Sequence, residues 1–291
     1  MNQINRRASI KKIMAGTLAA SAAPLIQINA EQVKNLSLKG NVNHAVCAWT
    51  FPHLSLDELC KAVKKIGFNA IDLVGPKDWH ILKSNGVTCS MCNGAEISLV
   101  KGFNNKAYHD QLVKNYSEAI PQVAKAGYKN LICFSGNRDG MDDETGLQNS
   151  VEGLKKIIGI AEQYGVTLVM ELLNSRVDHP DYMCDRTSWG VELCKRLGSE
   201  NFKLLYDIYH MQIDEGDIIR TIKNNHQYIA HYHTAGNPGR NEIDDSQEIN
   251  YPAVVKAIVE TGFKGYVCQE FIPKAEDKLA SLAEAVSICD V

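Results

Sequence analysis

The sequence predicts an α/β protein of the (β/α)8 class, a TIM barrel in a single domain over residues 44–291, preceded by an N-terminal export signal over residues 1–30. Three observations carry this. Short apolar, β-branched runs alternate with helical stretches eight times after His44. Glycines punctuate the helix exits. The eight units fill 248 residues, about 31 each, which is the length one such barrel needs.

In chain order, strands are expected at 45–50, 70–74, 87–92, 130–134, 167–171, 203–207, 229–233 and 266–270. Ser55 with Glu58 three residues on reads as a capping box, and Leu56, Leu59, Cys60, Val63 and Ile66 follow at helical spacing up to Gly67. Leu147, Val151, Leu154, Ile158 and Ala161 form a second apolar stripe, stopped by Gly165. Asn250-Tyr-Pro-Ala opens a late helix with its Pro in the first turn. A doubly wound open sheet would need a Gly-rich phosphate loop after its first strand, where this chain has TFPHLSLDEL and no glycine.

The chain has 45% apolar and 22% charged residues, which excludes a disordered chain and a polytopic membrane protein. Residues 1–30 hold four basic residues (Arg6, Arg7, Lys11, Lys12) and no acidic ones, followed by a small apolar run. That is the plan of an export signal, and the Arg pair resembles a twin-arginine signal, so the expected location is the periplasm or beyond, with the cytoplasm as the alternative. The rest of the chain carries 27 Lys and Arg against 34 Asp and Glu, which disfavours nucleic acid as a partner. The apolar run is too short for a stable membrane anchor. Nine cysteines lie scattered singly; Cys47, Cys89, Cys92, Cys133 and Cys268 sit in apolar runs, and even Cys89-x-x-Cys92 reads as core packing.

In such a barrel the reactive groups project from the C-terminal ends of strands. Strands five to eight end in Glu171, Asp207, His233 and Glu270. One such residue would simply meet solvent. Four in succession at one barrel mouth need a cation, because three carboxylates together repel. Three hard oxygens and an imidazole favour Mn²⁺ or Mg²⁺, with Co²⁺ or Zn²⁺ as alternatives. Glu171 and Glu270, on opposite walls, can each move a proton beside a polarised carbonyl, the chemistry of isomerisation or epimerisation through an enediolate. His210, Arg240 and Trp49 are candidate substrate contacts: a hydroxyl partner, a clamp from a Gly-rich loop and an apolar wall. His231 is expected on the face opposite His233, in a structural role, and Glu96 is left unassigned.

The blocks MELLNSR (170–176), LLYDIYHMQIDEGD (204–217), HYHTAGNPGRNEID (231–244) and INYPAVVKAIVETGFKGYVCQEF (249–271) resemble the hydroxypyruvate isomerase branch of the xylose isomerase-like barrels. The resemblance implies a sugar isomerase or epimerase. It implies Glu171 and Glu270 as the acid–base pair, Asp207 and His233 as completing a metal set, and His210 and Arg240 as substrate contacts. Three features depart from that branch: His233 stands where Gln is common, Leu172 where Pro follows the Glu, and there is an export signal. They point away from hydroxypyruvate itself as substrate. The expected partner is a small sugar or hydroxy-keto acid, with homo-oligomerisation left open. The alternatives are a keto-sugar lyase or dehydratase on the same groups, an endonuclease on the same fold, and an exported carbohydrate-binding barrel without chemistry.

Overall fold

The computed structural model describes residues 36–291; the expected signal lies outside them. The strands are β1 (Asn43–Cys47), β2 (Ala70–Val74), β3 (Thr88–Cys92), β4 (Asn130–Cys133), β5 (Thr167–Glu171), β6 (Phe202–Asp207), β7 (Ile229–Thr234) and β8 (Tyr266–Gln269). They pair in parallel, in sequence order, and β8 closes on β1. The helices are α1 (Leu56–Ile66), α2 (Trp79–Ser84), α3 (His109–Ala126), α4 (Asp143–Tyr164), α5 (Thr187–Leu197), α6 (Ile208–Asp214), α7 (Ile218–Asn225), α8 (Tyr251–Glu260) and α9 (Lys278–Cys289). The expected barrel is thus the observed one. Among the described residues, no helix is long and apolar enough to cross a membrane.

Local chemistry sets the boundaries. The Ser55–Glu58 capping box is formed, and Gly67 ends α1 at φ +118°, a conformation only glycine adopts freely. Gly165 ends α4 in the same left-handed region. The first strand is shorter than the apolar run suggested. It stops at Cys47, and residues 48–50 form a 3₁₀ turn in which the Thr50 hydroxyl donates to the Cys47 carbonyl at 3.0 Å. An apolar pattern does not distinguish an extended residue from one in a tight turn. All nine cysteines are buried and unbridged, Cys89 and Cys92 among them, as their apolar settings implied.

Two backbone features shape the mouth. Strand β2 slips register against β3 on both sides of Asp72, and Leu73 sits at φ +60°. A branched residue held there costs of the order of 1–3 kcal/mol, which the surrounding packing must sustain. The loop after β3 leans on the loop after β4 at Gly102, where a Cβ would come within 2.3 Å of the Ser135 carbonyl carbon and 2.4 Å of the Gly136 nitrogen. Neither contact can be relieved by a side-chain rotation. Gly102→Ala is expected to destabilise the fold by at least about 1–3 kcal/mol, read as a fall in the denaturant midpoint at unchanged slope.

Candidate active site and metal centre

At the C-terminal rim, β5, β6 and β7 deliver Glu171, Asp207 and His233, and the residue just past β8, Glu270, joins them at one point. All four are buried, and one donor atom from each lies within 4.8 Å of the others. His233 Nδ1 is 3.1 Å from Glu171 Oε1, 3.1 Å from Glu270 Oε2 and 4.0 Å from Asp207 Oδ2. Asp207 also caps α6, accepting the His210 backbone N–H on Oδ1 at 2.9 Å, because β6 runs straight into that helix. Its Oδ2 is fully buried without a hydrogen-bond partner. A buried carboxylate oxygen with no donor is costly, and a bound cation would satisfy it. Three carboxylate oxygens and one imidazole nitrogen at this spacing fit a hard divalent ion.

A second layer orients these groups. Asn174 Oδ1 accepts the backbone N–H groups of Val177 and Asp178 at 3.0 and 2.9 Å, which fixes its amide so that Nδ2 is the donor. That amide donates to His210 Nδ1 at 2.6 Å. His210 is fully buried, and burial with the nearby Arg240 charge holds it well below the usual imidazole range. The neutral ring therefore carries its proton on Nε2, which has no partner and faces Asp207 Oδ2 at 3.9 Å. His210 thus offers a hydrogen-bond donor beside Asp207.

Arg240 Nη2 donates to Glu270 Oε2 at 2.6 Å, and the guanidinium lies 5.2 Å from the Trp49 ring and 5.9 Å from that of Tyr209. Trp49, on the turn after β1, donates its indole N–H to Glu270 Oε1 at 3.0 Å and keeps 44% of its surface exposed. Both proposed substrate contacts therefore stand beside Glu270. Glu96 bonds locally to the Gly94 N–H at 2.8 Å and is not among the clustered groups.

His231 corrects an expectation. Residues two apart on a strand share a face, so His231 points into the barrel on the same side as His233, with ring centroids 5.3 Å apart. It is bonded to Asp72, a residue the sequence reading passed over. Asp72 Oδ2 lies 2.5 Å from His231 Nε2 and 3.2 Å from His233 Nε2, and Ser90 donates to Oδ1. The available signal was a lone carboxylate inside the apolar strand AIDLV.

Burial and the Glu270 charge raise the Asp207 carboxyl to about 8. The same two causes raise Glu171. Glu270 is held well below its ordinary value despite burial, by His233 and Arg240; His233, despite burial, is raised by Glu270 and its other neighbours. A group whose folded value exceeds its unfolded one contributes stability that is full below the unfolded pKa and disappears as pH rises through the folded value. Asp207, Glu171 and His233 all act in that direction. Glu270 acts oppositely, its contribution being lost only in acid. Protein stripped of divalent ions is therefore expected to melt lower at about pH 9 than at about pH 6.5, a difference that added Mn²⁺ removes in thermal scans.

Residues 60–286 match a family model described as a xylose isomerase-like TIM barrel. The chain is 36% identical over 234 residues to the 2-oxo-tetronate isomerase of Cupriavidus necator, covering 77% of this chain and 89% of that one. It is 27% identical over 219 residues to the hydroxypyruvate isomerase of Escherichia coli, covering 72% and 84%. Its fold is shared with the D-psicose 3-epimerase of Clostridium cellulolyticum, solved with D-tagatose: TM-score 0.70, 17% identity, 86% of this chain and 97% of that chain.

Proposed function

The chain belongs to the xylose isomerase-like TIM barrel family and is an isomerase or epimerase, and on that premise we propose a divalent-metal-dependent enzyme acting on small hydroxy-keto acids or keto-sugars by glutamate-mediated proton transfer. The observation that carries this reading is the convergence of Glu171, Asp207, His233 and Glu270 around the unpartnered Asp207 Oδ2. Those four residues would hold the ion, which supplies Lewis-acid polarisation of the substrate's carbonyl and hydroxyl oxygens.

The chain's own groups do the rest. One glutamate takes the proton from the hydroxyl-bearing carbon next to the carbonyl, and the C–H electron pair moves through the new C=C bond onto the carbonyl oxygen. The other glutamate returns a proton, either to the former carbonyl carbon, as the hydroxyl oxygen gives its proton to the former carbonyl oxygen and becomes the new carbonyl, or to the opposite face of the same carbon. The first outcome is isomerisation and the second epimerisation. The His210 Nε2–H donates to a substrate oxygen, and Arg240 and Trp49 hold one flank of the substrate and exclude water beside Glu270. Relatives named for 2-oxo-tetronate and hydroxypyruvate favour a 2-oxo acid carrying a neighbouring hydroxyl.

The test is to incubate Mn²⁺-loaded protein with such acids and with keto-sugars in D₂O. Deuterium is expected at the carbon beside the carbonyl, with no loss of substrate water, by NMR. Loss of a hydroxyl would make the protein a dehydratase instead, and no exchange with any compound would leave a binding barrel. Residues 1–30, proposed as an export signal on the strength of Arg6-Arg7 and the apolar run behind them, should be missing from protein recovered after secretion by a bacterial host.

A further inference from the structure

Asp72 is the one carboxylate inside β2, fully buried in the barrel beneath the rim, among Ala70, Ile71 and Val74. A buried charge persists only where donors surround it. Here the donors come from two other strands: Ser90 of β3 on one oxygen, His231 and His233 of β7 on the other. The backbone is bent to make this arrangement. The register slips on both sides of Asp72, and Leu73 takes a left-handed conformation that leucine otherwise avoids. Bulges of this kind re-aim a side chain.

The consequence falls on His233. Its Nε2 meets Asp72 at 3.2 Å, while its Nδ1 meets Glu171 and Glu270, each at 3.1 Å. A neutral imidazole has one N–H and one lone pair. Carboxylates face both ring nitrogens, so the ion decides: one held by Glu171, Asp207 and Glu270 would take the Nδ1 lone pair, which leaves the ring N–H at Nε2, where Asp72 is placed to accept it.

We propose that Asp72 is the positioning residue of the metal centre, holding His233 in the one tautomer that can ligate a divalent ion there. This rests on the metal-dependent reading above. It explains a charge in the core that the proton-transfer steps do not use, and it explains the strain at Leu73. His231 and Ser90 then hold the Asp72 carboxylate in place.

The probe is Mn²⁺, with affinity measured by electron paramagnetic resonance. Asp72→Asn keeps the shape but puts an amide against Nε2. That amide can donate, which moves the ring proton to Nδ1, into the ligand position. Mn²⁺ affinity is expected to fall by about 10–100-fold, the usual cost of losing a carboxylate behind a ligating histidine. Ser90→Ala removes a donor from the other oxygen but leaves the Nε2 contact, and should cost far less affinity than Asp72→Asn.

Should Asp72→Asn fail to fold, nitrogen NMR of the wild type loaded with Mg²⁺ decides the matter: the His233 proton is expected on Nε2, and a proton on Nδ1 overturns the proposal. Unchanged affinity in Asp72→Asn overturns it as well, while leaving the metal reading intact. Wild type that binds no Mn²⁺ sinks the metal reading itself. Cys47 and Cys268, with Sγ atoms 3.6 Å apart, also flank His233. A cobalt-loaded protein with a thiolate charge-transfer band that disappears in Cys47→Ser would make Asp72 a ligand of a second ion, and that too overturns the positioning role.

Discussion

Glu171→Gln is expected to lower kcat by about 10²–10⁴-fold, the usual contribution of one general acid–base group. The substitution keeps size and leaves an amide oxygen towards the site, so the fold should persist. Glu171 touches His233 through Oε1, and its backbone carbonyl separately accepts the Tyr182 hydroxyl at 3.0 Å. The side-chain change therefore leaves the strand end anchored. Steady-state kinetics with a thermal scan on the same sample would separate lost chemistry from lost structure. Turnover equal to wild type would remove Glu171 from the reaction. Glu270→Gln should cost at least as much, since Glu270 also accepts from Trp49 and Arg240. Its loss should raise KM as well as lower kcat, whereas Glu171→Gln should act mainly on kcat.

Removal of divalent ions with a chelator is the second large effect. Turnover should disappear and return on adding Mn²⁺ or Mg²⁺. Stability should respond in parallel, because an ion that binds the folded chain alone stabilises it by about 2.7 kcal/mol when present at about 100 times its Kd. For a domain of this size that is a shift of roughly 5 °C in Tm. The orphaned Asp207 Oδ2 is the physical source of the gain. Asp207→Asn should abolish most of this shift, whereas a chelator-resistant activity would show that the buried carboxylates work without an ion.

Much of this architecture was legible in the residues, for reasons that also mark where legibility ends. Strand ends such as Glu171 and Asp207 stand out because a charge abruptly follows an apolar run, and the period of strand and helix dictates that such ends share a rim. Ser55 and Glu58 announce α1 because capping is a local interaction. Asp72 was not legible as functional, because its direction depends on a register slip against β3 that no hydropathy pattern records. Asn174 was equally silent: its grip on His210 arises from a loop folding back on its own backbone N–H groups. The end of β1 was misplaced because Ala48–Thr50 is as apolar as a strand yet closes into a turn. Local rules gave the reactive side chains, and long-range geometry decided what holds them.

The link between β2 and β7 has a consequence for how the molecule could be divided. Every donor proposed for the ion lies in the second half of the chain, so a fragment starting at β5 would carry the complete coordinating inventory. It would lack Asp72, and with it the support that aims His233, as well as the Trp49 indole that braces Glu270. Such a fragment should prove a poor chelator, and mixing it with the complementary front half should restore tight uptake. Ion capture in this protein would then double as a sensor of whether the ring of strands has closed.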